Sequence, residues 1–252
     1  VFIGFNDVEQ MVFHTAEATK LFNGRQSKIM RREGEYTFGC PHFLYIYYRE
    51  PCALRQTAEY GAAEFPKFSA IANGIGTGCD YLLKAEYALE TGDLKGAELN
   101  AKKAIIKAKT QKQNSISVNA LFALLRLYIF QGKVEQAHEV MRKLREDVLR
   151  ENSPMRNMTF EIINGYIYAI LGRINDIPKW LKEGAMPDAC WLFNGLYFNY
   201  IVYGKAVLLT KSYLELEVLS ETLPQYFSVF NNRIGLIHTR ILRAIARYHL
   251  YE

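Results

Sequence analysis

The sequence is poor in the residues from which most chemical sites are built. Its 252 residues include four cysteines, Cys40, Cys52, Cys79 and Cys190, with no C-x-x-C pair and no framework spacing. That pattern fits free, mostly buried thiols in a reducing compartment and excludes a disulfide scaffold. The five histidines, His14, His42, His138, His238 and His249, stand apart from one another and from the cysteines. With no H-E-x-x-H and no paired Cys/His spacing, no metal centre is expected. No run of about 18 apolar residues occurs, so no membrane-spanning helix is expected. No signal peptide is visible either, and the expected location is cytoplasmic. Phosphate-binding loops are also missing. Asn73-Gly-Ile-Gly-Thr-Gly78 lacks both the third glycine of a dinucleotide fingerprint and the Gly-Lys-Ser/Thr of a P-loop. It reads instead as an irregular turn leading into a helix that starts near Cys79. Residual anion affinity at that helix start is the competing reading.

What the chain does have is a beat. Gly92, Gly132 and Gly172 stand 40 residues apart, each preceded by an apolar stretch and followed by a polar residue. Aliphatic residues follow at two positions beyond each glycine (Leu94, Val134, Ile174), and small or aliphatic ones at five (Ala97, Ala137, Ile177). Ala101, Met141 and Leu181 come at nine, with Ala104 and Leu144 at twelve in the first two cases. These offsets put the apolar positions on one face of a second helix. The glycine supplies the left-handed residue that ends the first helix.

Extended outward, the beat reaches Lys211, followed by Tyr213 and Leu216 at the matching offsets, and Cys52 on the other side. The predicted architecture is all-α, a right-handed α-solenoid of antiparallel helix pairs with a period near 40 residues. No Pro/Gly/Ser-rich linker interrupts it, and it is expected to form a single helical-repeat domain over 1–252. The parsing gives a half unit at 1–39, units at about 40–72, 73–113, 114–153, 154–190 and 191–228, and a half unit at 229–252. Both ends then fall inside a unit, and the chain is expected to be a piece of a longer protein.

The formal charge is +5, from 31 basic and 26 acidic residues. Lys102, Lys103, Lys107, Lys109 and Lys112 crowd one helix end, and Arg240, Arg243 and Arg247 recur at helical spacing. A nucleic-acid surface is one reading. Lysines that complement the helix dipole and keep a repeat surface solvated are the favoured one. Aromatic residues cluster at Tyr45 to Tyr48 and from Trp191 to Tyr203. Most should fill gaps between stacked helices. Adjacent rings cannot all face one core, so Tyr45, Tyr48, Trp191, Tyr197 and Tyr200 are the expected lining of a ligand or partner groove. No catalytic, cofactor-binding or metal-ligating residue stands out, and no enzyme activity is expected.

Three stretches, Tyr36-Thr-Phe-Gly-Cys-Pro41, Asn73 to Leu82 with Ala85-Glu86, and Gly92-Asp93 with Gly96-Ala97, together with the later repeats, carry a resemblance. The chain resembles the tetratricopeptide-like sensor region of large LuxR-type (MalT-like) bacterial transcription activators. The resemblance implies a regulatory module that binds a small-molecule inducer or a protein partner and governs self-association. It also implies flanking modules, one binding ATP and one binding DNA; this chain has neither a Walker motif nor a recognition helix. The alternative is an architectural scaffold for protein assembly without a small ligand.

Overall fold

The computed structural model describes residues 51–71, 73–149, 154–185, 198–229 and 233–252, with Phe13 and Glu17. These residues form ten α-helices and one 3-10 turn, with no strand among them. They fall into two units, the first ending at Asp147 and the second beginning at Val148.

In the first unit the helices are α1 (Pro51–Ile71), α2 (Cys79–Thr91), α3 (Leu94–Thr110), α4 (Asn114–Phe130) and α5 (Val134–Leu149). α1 packs on α2, α2 on α3, α3 on α4, and α2 also reaches α4. One face of each supplies a shared core. Phe65 of α1, Leu82 and Leu83 of α2, Ala104 and Ala108 of α3, and Ile116 and Ala120 of α4 are all buried within it. Alanine dominates the α3 contribution (Ala97, Ala101, Ala104, Ala108), so this helix approaches its neighbours closely. Cys79 is buried in the same core.

The second unit contains α6 (Pro154–Ile170), a 3-10 turn at Ile174–Asp176, the single-turn α7 (Lys179–Lys182), α8 (Phe198–Leu209), α9 (Tyr213–Val229) and α10 (Arg233–Tyr251). α8 lies against α6, α7, α9 and α10, and α9 pairs with α10. Val207, Leu216, Leu242 and Ala246 form the core that joins the last three helices.

The beat glycines have the conformation their positions require. Gly92, Gly132 and Gly172 have φ of 83°, 68° and 69°. At Gly132 the glycine N–H donates to Ile129 O, while Lys133 N–H reaches back to Tyr128 O at 2.8 Å. Gly172 and Arg173 repeat the arrangement on Ala169 and Tyr168. This paired bonding satisfies carbonyls that the helix end leaves open. Asp93 then caps α3, its carboxylate accepting from Gly96 N–H at 2.9 Å.

Lys211 takes the same left-handed conformation, with φ of 58°, and it is exposed. A side chain there carries a conformational penalty of about 1–2 kcal/mol. Lys211→Gly is therefore expected to raise stability by about 0.5–1 kcal/mol, after allowing for the freer unfolded chain. A urea midpoint that fell instead would show that the lysine is held by contacts outweighing its strain.

One expectation needs correction. The residues after Gly172 have the offsets of a second helix, but the backbone makes a 3-10 turn, an extended residue and a single α-turn. Pro178 is the cause. It has no N–H to donate, and it drives Ile177 to an extended conformation with ψ of 128°. Ile177 and Leu181 are buried all the same. A smaller departure is Val134, which is exposed rather than part of the core face.

Candidate functional site

The glycine-rich turn is structural rather than open to a ligand. Gly74, Gly76 and Gly78 all have positive φ, and α2 starts at Cys79 as the spacing predicts. Gly76 N–H is taken by Gln113 Oε1 at 3.0 Å, Thr77 N–H by Gly74 O, and Cys79 N–H by Gly76 O. Ser69 Oγ closes the turn on Ile75 O at 3.0 Å. These three donors are therefore spent inside the fold.

Six positions before each beat residue stand Glu86, Arg126, Tyr166 and Lys205. Within each unit the successive pair meets. Glu86 of α2 bonds to Arg126 of α4, with their side chains only 4% and 9% exposed. Arg126 also reaches Glu90 at 3.3 Å and lies 4.9 Å over the ring of Phe122. In the second unit Lys205 Nζ stands 5.8 Å over the ring of Tyr166. Burial holds that ammonium below its usual range. These contacts fix one first helix on the next. The signal was available in the sequence, since Glu86 and Arg126 are separated by the same 40 residues as the glycines.

The groove of the first unit runs between α3 and α5 with α4 as its floor, and its volume is about 570 Å³. Leu121, Leu124 and Tyr128 from α4, with Val140 from α5, make a buried apolar bed. Ile105 and Ile106 form the α3 wall, and Ile106 is 66% exposed. Lys102 and Lys109 edge this wall, whereas Glu135, Gln136, Glu139 and Lys143 edge the wall across from it.

The polar rim is ordered by its own hydrogen bonds. Tyr128 donates its hydroxyl to Glu98 Oε1 at 3.0 Å, and Lys102 Nζ bonds to the same oxygen at 2.6 Å. The Lys102 ammonium holds the Glu98 carboxyl below the usual carboxylate range. Burial, then Glu98, raises the Tyr128 phenol. Opposite, Arg142 and Lys143 bond Glu139 and hold its carboxyl at about 2. Lys102 and Glu139 are thus each held in an ion pair and contribute little net field, which leaves Lys109 as the cation of the α3 edge and Glu135 as the acid of the edge across from it.

Compared with family models, curated proteins and solved structures, the chain matches none.

Of the residues expected to line a groove, Tyr45, Tyr48, Trp191 and Tyr197 lie outside the described residues. Tyr200 is described, on α8. Its ring stacks on Tyr226 of α9 at 4.4 Å and 12°, with Phe227 edge-on at 6.5 Å. That ring joins two helices, as most of the aromatics were expected to do. The groove between α3 and α5 is built of aliphatic residues outside the expected lining, together with Lys102 and Lys109 of the cluster whose favoured reading is a solvated helix face. A usable signal was Leu99, Lys102, Ile106 and Lys109, which alternate apolar and basic along one exposed face of α3. Among the described residues no group of His, Cys, Asp and Glu is placed to hold a metal. No described helix is long and apolar enough to cross a membrane.

Proposed function

We propose that the chain is a helical-repeat regulatory module of the LuxR-type (MalT-like) kind, a right-handed α-solenoid with a period near 40 residues that recognises a protein partner. The observation that carries the binding role is the groove over Leu121, Leu124, Tyr128 and Val140, apolar at its floor and edged by Lys102 and Lys109. Small ligands take sites that enclose most of their surface. A trough open along two helices instead suits a protein segment that brings apolar side chains and an acidic group. Support for the repeat reading comes from the left-handed residues at Gly92, Gly132, Gly172 and Lys211 and from the phase shared by Glu86, Arg126, Tyr166 and Lys205. The module turns over no substrate on this reading. ATP and DNA would be bound by flanking modules, and occupancy of the groove would bias self-association.

The test is a thermal-shift and titration panel of sugars, nucleotides and apolar-acidic peptides against the whole chain, with Ile106→Asp as the control. Ile106 is exposed, so the variant should fold normally and bind an effective peptide at least about tenfold more weakly. The reading fails if sugars or nucleotides raise the melting temperature while peptides do not. It also fails if Ile106→Asp leaves peptide binding intact.

A purely architectural role is the second reading, favoured by the exposed apolar ridge of α10 (Ile237, Ile241, Tyr248, Tyr251).

A further inference from the structure

Helix α10 has two apolar faces, and only one of them is used inside its unit. Gly235, Thr239, Leu242 and Ala246 are buried. On the other side Ile237, Ile241, Tyr248 and Tyr251 are 52%, 51%, 61% and 71% exposed, with the exposed Ala244 between them. These five positions alternate spacings of four and three, which is the seam of a heptad helix pair. The seam runs about 21 Å, some four turns. Scattered apolar residues on a surface need no explanation, but an unbroken ridge with helix-pairing spacing does.

The flank of the ridge indicates what covers it. Arg240 stands immediately before the seam residue Ile241, where charges select the partner helix. From Arg233 to the end of the described chain the sole acid is Glu252. A second copy of α10 fits badly. It offers no acid to Arg240: the antiparallel pairing sets Arg240 against Arg247, which Glu217 already holds, and the parallel pairing sets it against Ile245. Nucleic acid fits badly too. Arg243 already bonds Glu221 at 3.2 Å and Arg247 bonds Glu217 at 3.0 Å. Tyr251 adds its hydroxyl to Glu217 at 2.9 Å. Arginines neutralised by carboxylates beside an isoleucine ridge make a poor phosphate surface.

We propose that this outer face of α10 docks an amphipathic α-helix of a partner protein, with apolar residues on the ridge and acidic residues along the Arg240 edge. The site is separate from the groove of the first unit and does not depend on it.

The probes are two synthetic helical peptides with leucine at every seam position, one with glutamate along both flanks and one with lysine there. Binding to the whole chain is followed by fluorescence anisotropy. The glutamate peptide is expected to bind at least about tenfold more tightly than the lysine peptide. Ile241→Asp and Tyr248→Asp should each abolish binding without lowering the melting temperature, because both side chains are exposed. Arg240→Glu should bring the two peptides to similar affinity or reverse their order, and Ile106→Asp should change nothing. Equal binding of both peptides, or binding of neither, overturns the proposal. So does sedimentation showing self-association that Ile241→Asp dissolves, which would make the occupant a second copy. Oligonucleotide binding that Arg240→Glu removes and Ile241→Asp spares would assign the face to nucleic acid.

Discussion

Replacing Arg126 with methionine is expected to destabilise the first unit by about 3–5 kcal/mol, a large share of the stability of any domain this size. The magnitude follows from what is left behind. Glu86 is buried on α2, and the guanidinium of α4 is the charge that meets it there. Arg126 also ties in Glu90 and covers the ring of Phe122, so its removal takes packing with it. The double variant Glu86→Leu with Arg126→Met should recover most of the loss, since an apolar pair of similar volume avoids the desolvation that a buried ion pair must offset. Urea unfolding of the single and double variants, with hydrogen exchange followed in α2 and α4, measures both. If Arg126→Met alone were nearly neutral, Glu86 must reach water when unpaired, and the ion pair would be a surface feature of little weight.

This pair also illustrates which parts of the structure could be read from sequence. The left-handed glycines were legible because their conformation is nearly exclusive to one residue type. Lys211 could be placed only by counting from them, since no lysine announces a positive φ. Burial at Ala97, Ala137, Ile177 and Leu181 followed from helical spacing and holds in the structure. Spacing did not disclose the backbone at the last two, because Pro178 gives the same burial through a 3-10 turn and a single helical turn. Arg126 interrupts the apolar stretch before Gly132, and Glu86 the one before Gly92. Their shared phase, 40 residues apart like the glycines, is the signal that joins them.

The site was less legible than the fold. The expected lining consists of rings, yet Tyr200 is used in stacking against Tyr226, and the groove is lined largely by isoleucine, leucine, valine and lysine. Aliphatic side chains of a groove wall and of a core look alike in sequence. The distinction depends on whether the next helix covers them, a property of packing. The same ambiguity holds for α10, whose second apolar face has the spacing of a core face but is exposed.

Gly78→Ala is expected to cost about 3 kcal/mol, the sum of a left-handed penalty of about 1–2 and an overpacking term of about 1–3 kcal/mol. Gly78 has φ of 95°, and a Cβ there would stand 2.8 Å from Ala104 O and 3.0 Å from Ala108 N. Both obstacles are backbone atoms of α3, so no rotamer change relieves them, and the start of α2 must move off the helix beneath it. Gly92→Ala is the matched control. Its φ of 83° is just as unfavourable for a side chain, but nothing lies within 4 Å of the added carbon. That variant should lose only about 1 kcal/mol, the conformational term reduced by the stiffer unfolded chain. Equal losses at the two positions would mean that α2 does not cross α3 so closely. The difference also bears on function, because α3 presents Ala104 and Ala108 to Gly78 and Ile105, Ile106 and Lys109 to the groove. A shift of α3 away from an alanine at 78 must displace that groove wall as well. Gly78→Ala is thus expected to weaken partner binding at conditions where the chain is still folded, and Gly92→Ala to leave it unchanged.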